Sequence, residues 1–274
     1  MERYADLHVH TTFSDGSFTP DEVARRARAL GFAALGICDH DTVEGFPAAR
    51  AAGVAHGIEV LPAIELSTKA TAGQQHILGY CCDGTHPELV ATLRRLRTAR
   101  EDRMRLMLAK LGELGIDIST ADLWALADGG AIGRPHLARL LQERGVVPTI
   151  QDAFVTLIGR DGPAFVPKLV LTAEEAIALI KAAGGVPIIA HPIHLAAPEA
   201  DIERLVAAGA MGIEAYYSDN TPADTERFLA IARRANLLVT GGSDCHGTAK
   251  DQLCLGMVHL PYAEVEKLKA AAGR

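Results

Sequence analysis

The chain is predicted to be an α/β protein: strands and helices alternating around a parallel sheet, open or closed into a barrel, with a helical insertion near the middle. Three observations carry this expectation. Short apolar runs of strand length alternate with amphipathic stretches through both ends of the chain. Several of those stretches open on a helix-capping signature, such as Thr19-Pro20-Asp21-Glu22. Between about residues 84 and 165 the alternation stops and helical spacing alone remains.

In order, Tyr4–Val9 reads as a buried strand, followed by a helix from the Thr19 cap to about Leu30, where Gly31 stops it. Ala33–Cys38 is the next strand and runs straight into Asp39-His40-Asp41-Thr42. A helix over about Phe46–Ala55 leads to the strand Ile58–Ile64, which ends in Glu65, and a short strand His76–Cys81 begins with His76. From Pro87 to Leu114 the apolar residues Leu89, Leu93, Leu96, Met104, Met107, Leu111 and Leu114 follow helical spacing. The arginines between them (Arg94, Arg95, Arg97, Arg100, Arg103, Arg105) read as a solvated face, with a basic ligand-facing groove the alternative. Shorter helices are expected at about Ala121–Ala127, Arg134–Glu143 and Thr149–Leu157, before Asp161-Gly162-Pro163 returns the chain to alternation.

Beyond the insertion, Thr172-Ala173-Glu174-Glu175 caps a helix to Ala183. Val186–Ala190 is a strand ending in His191-Pro192, and a helix near Ala200–Ala208 precedes the strand Gly212–Ala215. Thr221-Pro222-Ala223-Asp224 opens a helix to Ala235, and the strand Leu237–Thr240 ends in Gly241-Gly242-Ser243-Asp244-Cys245-His246. A last strand at Met257–Leu260 and a last helix at Ala263–Ala271 complete the pattern. The sheet, open or closed, is thus expected to comprise 1–83 and 166–274, with 84–165 a helical insertion that covers its mouth.

Composition narrows the function classes. A net charge of −7 argues against broad binding to nucleic acid or anionic membranes, although a few local cations can still reverse the sign in a cleft. The apolar runs are too short to span a bilayer, and the opening residues lack a signal-peptide pattern. Five cysteines without C-x-x-C spacing (Cys38, Cys81, Cys82, Cys245, Cys254) suggest reduced thiols in a cytoplasmic protein.

The chemistry concentrates where strands end. His8 and His10 lie two apart and should share one face of their strand. The other strand boundaries supply Asp15, Asp39-His40, Glu65, His76, His191 and Asp244/His246. Singly, each is most simply a cap or a hydrogen-bonded core residue. Six histidines and several carboxylates converging on one mouth would stay unsatisfied unless positive charge held them together. Imidazole and carboxylate ligands without thiolate suit Mn²⁺, with Fe²⁺ or Zn²⁺ the alternatives, and disfavour Ca²⁺. Asp39 aside, the nine candidates suit two or three ions. Ions held roughly 3.5–4 Å apart by a bridging carboxylate can activate a water for attack on phosphorus.

His8-Val9-His10-Thr11 with Ser14-Asp15-Gly16, Cys38-Asp39-His40-Asp41, Glu65, His76, Ala190-His191-Pro192 and Gly242-Ser243-Asp244-Cys245-His246, as an ordered set, resemble the polymerase and histidinol phosphatase (PHP) family of metal-dependent phosphoesterases. The resemblance implies a distorted (β/α)7 barrel and a three-metal centre. It implies His8, His10, Glu65 and Asp244 around one ion, Glu65 bridging to a second with His76 and His191, and Asp15, His40 and His246 around a third. Within the insertion, Ile132-Gly133-Arg134-Pro135-His136-Leu137-Ala138-Arg139 resembles the stand-alone bacterial branch that acts on nucleotides. There Arg134 would clamp a phosphate bidentately, the plain alternative being a helix-start arginine in a surface salt bridge.

Lys168 and His194 are further substrate-binding candidates, and His194 could also protonate a leaving oxygen; a loop histidine with no role is the alternative. Asp39 and Asp41 are expected to orient imidazoles. His56, His86 and His259 read as structural or exposed, and Cys38 and Cys245 as packing residues.

The expected activity is release of the 3′-phosphate from a nucleoside 3′,5′-bisphosphate by metal-activated water. The alternatives are 5′-3′ exoribonuclease action on short RNA, histidinol-phosphate phosphatase activity, C–N or lactone hydrolysis on a related barrel, and a non-catalytic metal-stabilised module. The expected partner is a small nucleotide, or a short RNA, and not a membrane.

Overall fold

The computed structural model describes residues 2–70, 75–127, 132–249 and 255–273, and its contacts divide the chain into two compact units. The first comprises residues up to Ala91 together with Val170 onward; the second runs from Thr92 to Leu169.

The first unit is built on eight strands: β1 (Tyr4–Val9), β2 (Ala34–Ile37), β3 (Glu59–Ser67), β4 (His76–Tyr80), β5 (Val186–Ile189), β6 (Gly212–Tyr217), β7 (Leu238–Gly242) and β8 (Leu260–Pro261). Their order is β7-β6-β5-β4-β3-β2-β1-β8. The sheet nearly closes into a barrel, because Val9 bridges to Cys245 just past β7 and the His10 N–H donates to the Cys245 carbonyl at 2.9 Å. The helices of this unit are α1 (Pro20–Ala29), α2 (Phe46–His56), the start of α3 (Pro87–Glu113), then α7 (Ala173–Ala182), α8 (Pro198–Ala207), α9 (Pro222–Ala235) and α10 (Tyr262–Ala271).

The expected α/β barrel is what the strands form, but the parallel pairing is corrected at two of them. Strand β4 is antiparallel to both β3 and β5, while β1–β2–β3 and β5–β6–β7 pair in parallel. Only residues 68–75 separate β3 from β4, too few for a crossover connection, so the chain returns as its own neighbour. The eighth strand, two residues long, pairs antiparallel with β1. Strand β3 also runs past its expected end: Glu59–Pro62 pair with β2 and Ala63–Ser67 with β4, which leaves Glu65 inside the strand.

Local chemistry explains the helix starts. Thr19 and Thr172 each close a capping box with the glutamate three residues on, and Thr221 does the same with Asp224. Leu7, Leu35, Ile64 and Leu78 are fully buried beside these helices and strands, each worth about 1.5–3 kcal/mol of transfer free energy.

The second unit is helical: the rest of α3, then α4 (Thr120–Ala127), α5 (Arg134–Glu143) and α6 (Ile150–Ala153). Met104, Met107, Leu111, Leu123, Leu137 and Leu141 form its core. The helix expected through Leu157 instead widens into a π-turn over Phe154–Ile158. Gly159 ends that turn so close to the Phe154 carbonyl that a Cβ there would lie 2.0 Å from its oxygen. The expected solvated arginine face is corrected at Arg103, which is 6% exposed and donates its Nε–H to the Val166 carbonyl at 2.7 Å. Among the described residues, no helix is long and apolar enough to cross a membrane.

Candidate metal centre

The barrel unit gathers the nine predicted ligand side chains into one cluster, with His8, His10, His40, His76 and His191 directly against Glu65. His8 is on β1 and His10 one residue beyond it; Asp15 is in the turn that follows. Gly16 lets that turn fold back, since a Cβ there would meet the His10 carbonyl oxygen at 2.6 Å. His40 follows β2, His76 opens β4, His191 follows β5, and Asp244 and His246 follow β7.

Three overlapping groups can each hold an ion: His8, His10, Glu65 and Asp244; His10, Asp15, His40 and His246; and His40, Glu65 and His76. In the first, His10 Nε2 lies 3.3 Å from Glu65 Oε2 and 3.0 Å from Asp244 Oδ1, with His8 Nε2 3.4 and 3.5 Å from the same oxygens. In the second, His246 Nε2 is 3.3 Å, His40 Nε2 3.9 Å and His10 Nδ1 4.0 Å from Asp15. In the third, His76 Nδ1 approaches Glu65 Oε1 at 2.8 Å and His40 Nδ1 approaches Oε2 at 3.0 Å. His191, outside these groups, brings its Nε2 within 3.0 Å of the same Oε1. Oε1 thus faces His76 and His191, and Oε2 faces His8, His10 and His40. The groups differ from the expected partition in that His10 and His40 each belong to two of them and His191 to none.

The electrostatics fit positive charge at this point. His10 Nδ1, Asp15 Oδ1, His40 Nδ1, Glu65 Oε2 and His191 Nδ1 are buried and make no aligned hydrogen bond among the described residues. Burial alone would push the Glu65 and Asp15 carboxyls up, but the surrounding imidazoles, His40 first, hold both well below the usual range. Burial pulls the His10 imidazole down, yet Asp244 and Glu65 outweigh it and raise it to about 10. At His40 burial wins, and the ring is lowered to about 3. The donor set is imidazole and carboxylate, buried, convergent and short of hydrogen-bond partners, which is what a divalent cation completes.

Asp39 does not orient an imidazole. Its oxygens accept from the Thr11 N–H at 2.8 Å, the Thr11 hydroxyl at 2.7 Å and the Ser14 hydroxyl at 2.6 Å, which fixes the loop carrying Asp15. Asp41 accepts from the Ser67 N–H and hydroxyl, tying the segment around His40 to the end of β3. Two residues of β6 escaped the sequence reading. Glu214, fully buried, lies with Oε1 3.0 Å from His8 Nδ1 and accepts the His191 N–H on Oε2 at 2.8 Å. Tyr217 donates its hydroxyl to Asp244 Oδ2 at 3.0 Å. The signal for Glu214 was a carboxylate amid an apolar run, which burial obliges to find partners; Tyr217 lies past the expected strand end.

His194 sits in a short 3₁₀ turn (Pro192–His194), about a third exposed, its ring 5.4 Å from that of His191 and its Nε2 3.4 Å from Asp219. Arg134 and Lys168 belong to the helical unit. Arg134 opens α5, half-buried, with its guanidinium 5.5 Å from the Phe154 ring and 5.9 Å from Phe165. Lys168 is half-buried in the segment before Val170. His56 pairs with Asp21, and His259 packs on Tyr4 and Phe32. Cys38 is buried with its thiol donated to the Leu7 carbonyl, and burial pushes that thiol up, away from nucleophilic use. Cys245 is buried too, and Cys254 lies outside the described residues. Asp244 and His191 both leave their strands with positive φ, 50° and 25°.

Comparison with known proteins agrees with this geometry. A model of the PHP domain matches residues 6–120. The chain is 35% identical over 247 residues to the 3′,5′-nucleoside bisphosphate phosphatase of Chromobacterium violaceum, spanning 88% of this chain and 86% of that one. It is 35% identical over 250 residues to the 5′-3′ exoribonuclease of Haemophilus influenzae, spanning 90% and 91%. A crystal structure from Bifidobacterium adolescentis, provisionally named a metal-dependent phosphoesterase, superposes with a TM-score of 0.89 at 32% identity, covering 99% of both chains.

Proposed function

The chain belongs to the PHP family of metal-dependent phosphoesterases, and from that premise we propose that it removes the 3′-phosphate of a small nucleoside 3′,5′-bisphosphate. The observation that carries the reading is the overlap of three candidate ion sites, two of which share Glu65 while His10 and His40 link them to the third. In this reading His8, His10, Asp15, His40, Glu65, His76, His191, Asp244 and His246 hold two or three divalent cations, Mn²⁺ first among them. Bound cations would supply an activated water and offset the charge that grows on the phosphoryl oxygens.

The chain's own groups do the remaining work. Tyr217 and Glu214 hold Asp244 and His8 in place, so the ligand geometry costs little to reach. His194, beside Asp219 and only partly buried, is the group proposed to bind a phosphate oxygen and hand a proton to the leaving oxygen. Arg134 and Lys168 are the proposed contacts to the second phosphate. The same centre would serve a 5′-3′ exoribonuclease on short RNA, a second reading favoured by the 35%-identical relative of that name.

The test is phosphate release by purified, Mn²⁺-loaded protein from nucleoside 3′,5′-bisphosphates, short 5′-phosphorylated RNA and histidinol phosphate. Free phosphate from the bisphosphate, with turnover well above that on the others, supports the proposal. Nucleoside monophosphates accumulating from RNA, with the bisphosphate inert, would replace it with the second reading. Hydrolysis of amides or lactones alone would remove both.

A further inference from the structure

We infer that Glu214 is a positioning residue that sets two ligands of the metal centre at once, an inference that rests on the centre proposed above. The carboxylate is fully buried in the middle of β6. Burying an ionised carboxylate costs several kcal/mol unless its oxygens are bonded, and both of these are. Oε1 lies 3.0 Å from His8 Nδ1. Oε2 accepts the main-chain N–H of His191 at 2.8 Å.

The first contact fixes a tautomer. A carboxylate oxygen only accepts, so His8 must carry its proton on Nδ1. Nε2, on the far side of the ring, is then the nitrogen left to ligate a cation beside Glu65 and Asp244, 3.4 and 3.5 Å away. The second contact fixes a backbone. His191 sits at φ 25° and ψ 64°, a sparsely populated conformation, and its main-chain N–H is held there by Glu214. That conformation accompanies the approach of His191 Nε2 to Glu65 Oε1 at 3.0 Å. From β6, one side chain therefore reaches a ligand on β1 and another just beyond β5.

Glutamine in this position keeps the shape but has one acceptor and one donor. With its amide nitrogen towards His191, two N–H groups would face each other. With the nitrogen towards His8, the imidazole would have to accept on Nδ1 and carry its proton on Nε2, aimed at the carboxylates where the cation belongs. Either way metal binding suffers more than the change in volume predicts.

The probe is Zn²⁺, which is diamagnetic, titrated calorimetrically into wild-type protein and Glu214→Gln, with circular dichroism confirming that the variant folds. The expected result is a loss of affinity of about 10–100-fold in the variant. Two-bond ¹H–¹⁵N spectra of Zn²⁺-loaded wild type should place the His8 proton on Nδ1. Wild type that binds no Zn²⁺ would overturn the metal centre itself. Wild type that binds, with Glu214→Gln binding within twofold or with the His8 proton on Nε2, would overturn the role of Glu214 and leave the centre standing. The tautomer is read in wild type, so the inference is decided even if the variant does not fold.

Discussion

Gly242 lies against His8 so closely that a Cβ placed on it would come within 2.2 Å of the His8 Cβ and 2.4 Å of its backbone nitrogen. This is the point where the end of β7 meets β1, and only a residue without a side chain permits it. Gly242→Ala must push the two strands apart, carrying His8 away from Asp244. It is expected to destabilise the fold by about 1–3 kcal/mol and to weaken Zn²⁺ binding, checked by thermal unfolding and calorimetry. An alanine variant matching wild type in both would contradict the close approach.

Asp244 and Tyr217 should rank in a fixed order. Asp244→Asn removes a proposed ligand oxygen and is expected to lower kcat/KM by more than about a hundredfold. Tyr217→Phe removes only the hydroxyl that holds Asp244 and should cost about tenfold. Steady-state kinetics on the preferred phosphoester decides; a larger loss in the tyrosine variant would reverse the assignment.

Chelation should lower stability as well as activity. A ligand at a hundred times its Kd adds about 2.7 kcal/mol to the folded state, roughly 5–10 °C in Tm for a chain of this size. Calorimetric scans with chelator, then with Mn²⁺ restored, should show a reversible shift of that order. An unchanged Tm would mean that no cation binds tightly to the folded protein.

At the opposite end of β3, Glu59 joins α10 through Lys269 and Tyr262. Partial burial raises its carboxyl, but these two bonds outweigh that and hold it below the usual 4.5. A carboxyl lowered on folding stabilises above its unfolded value, and the gain is lost as pH falls through the folded one. Glu59→Gln is therefore expected to cost under about 1 kcal/mol at pH 7, the group being substantially exposed. Urea unfolding of both proteins should show the gap narrowing as the pH drops below about 4.5; a gap that widens there would give the linkage the opposite sign.

Arg134→Ala should act on substrate recognition. Losing a charged hydrogen bond to phosphate costs about 1.5–3 kcal/mol, so KM for a bisphosphate should rise roughly 10–100-fold with kcat less affected. Equal kinetics on mono- and bisphosphates in wild type and variant would take Arg134 out of the site.

The cluster of nine candidate ligands was legible because each stands at or near a strand boundary, where a histidine or carboxylate has little structural reason to cluster. The capping boxes at Thr19, Thr172 and Thr221 made the helix starts equally plain. Strand direction was not legible at β4, since an apolar run carries no sense of parallel or antiparallel; the short link from β3 was the usable clue. Glu214 and Tyr217 were hidden for another reason. Both act through partners far away in the sequence, and the apparent end of β6 at Ala215 left the tyrosine outside it. Arg103 read as solvated because helical spacing does not report which helices later pack over a face.

The left-handed backbone at His191 and Asp244 bears on how such a centre could be moved or rebuilt. Copying the nine side chains onto a regular barrel would aim two of them wrongly, because an ordinary strand exit points its next residue elsewhere. A graft would have to import the two kinks and the carboxylate that pins one of them, so in this protein the portable unit is main chain plus ligand.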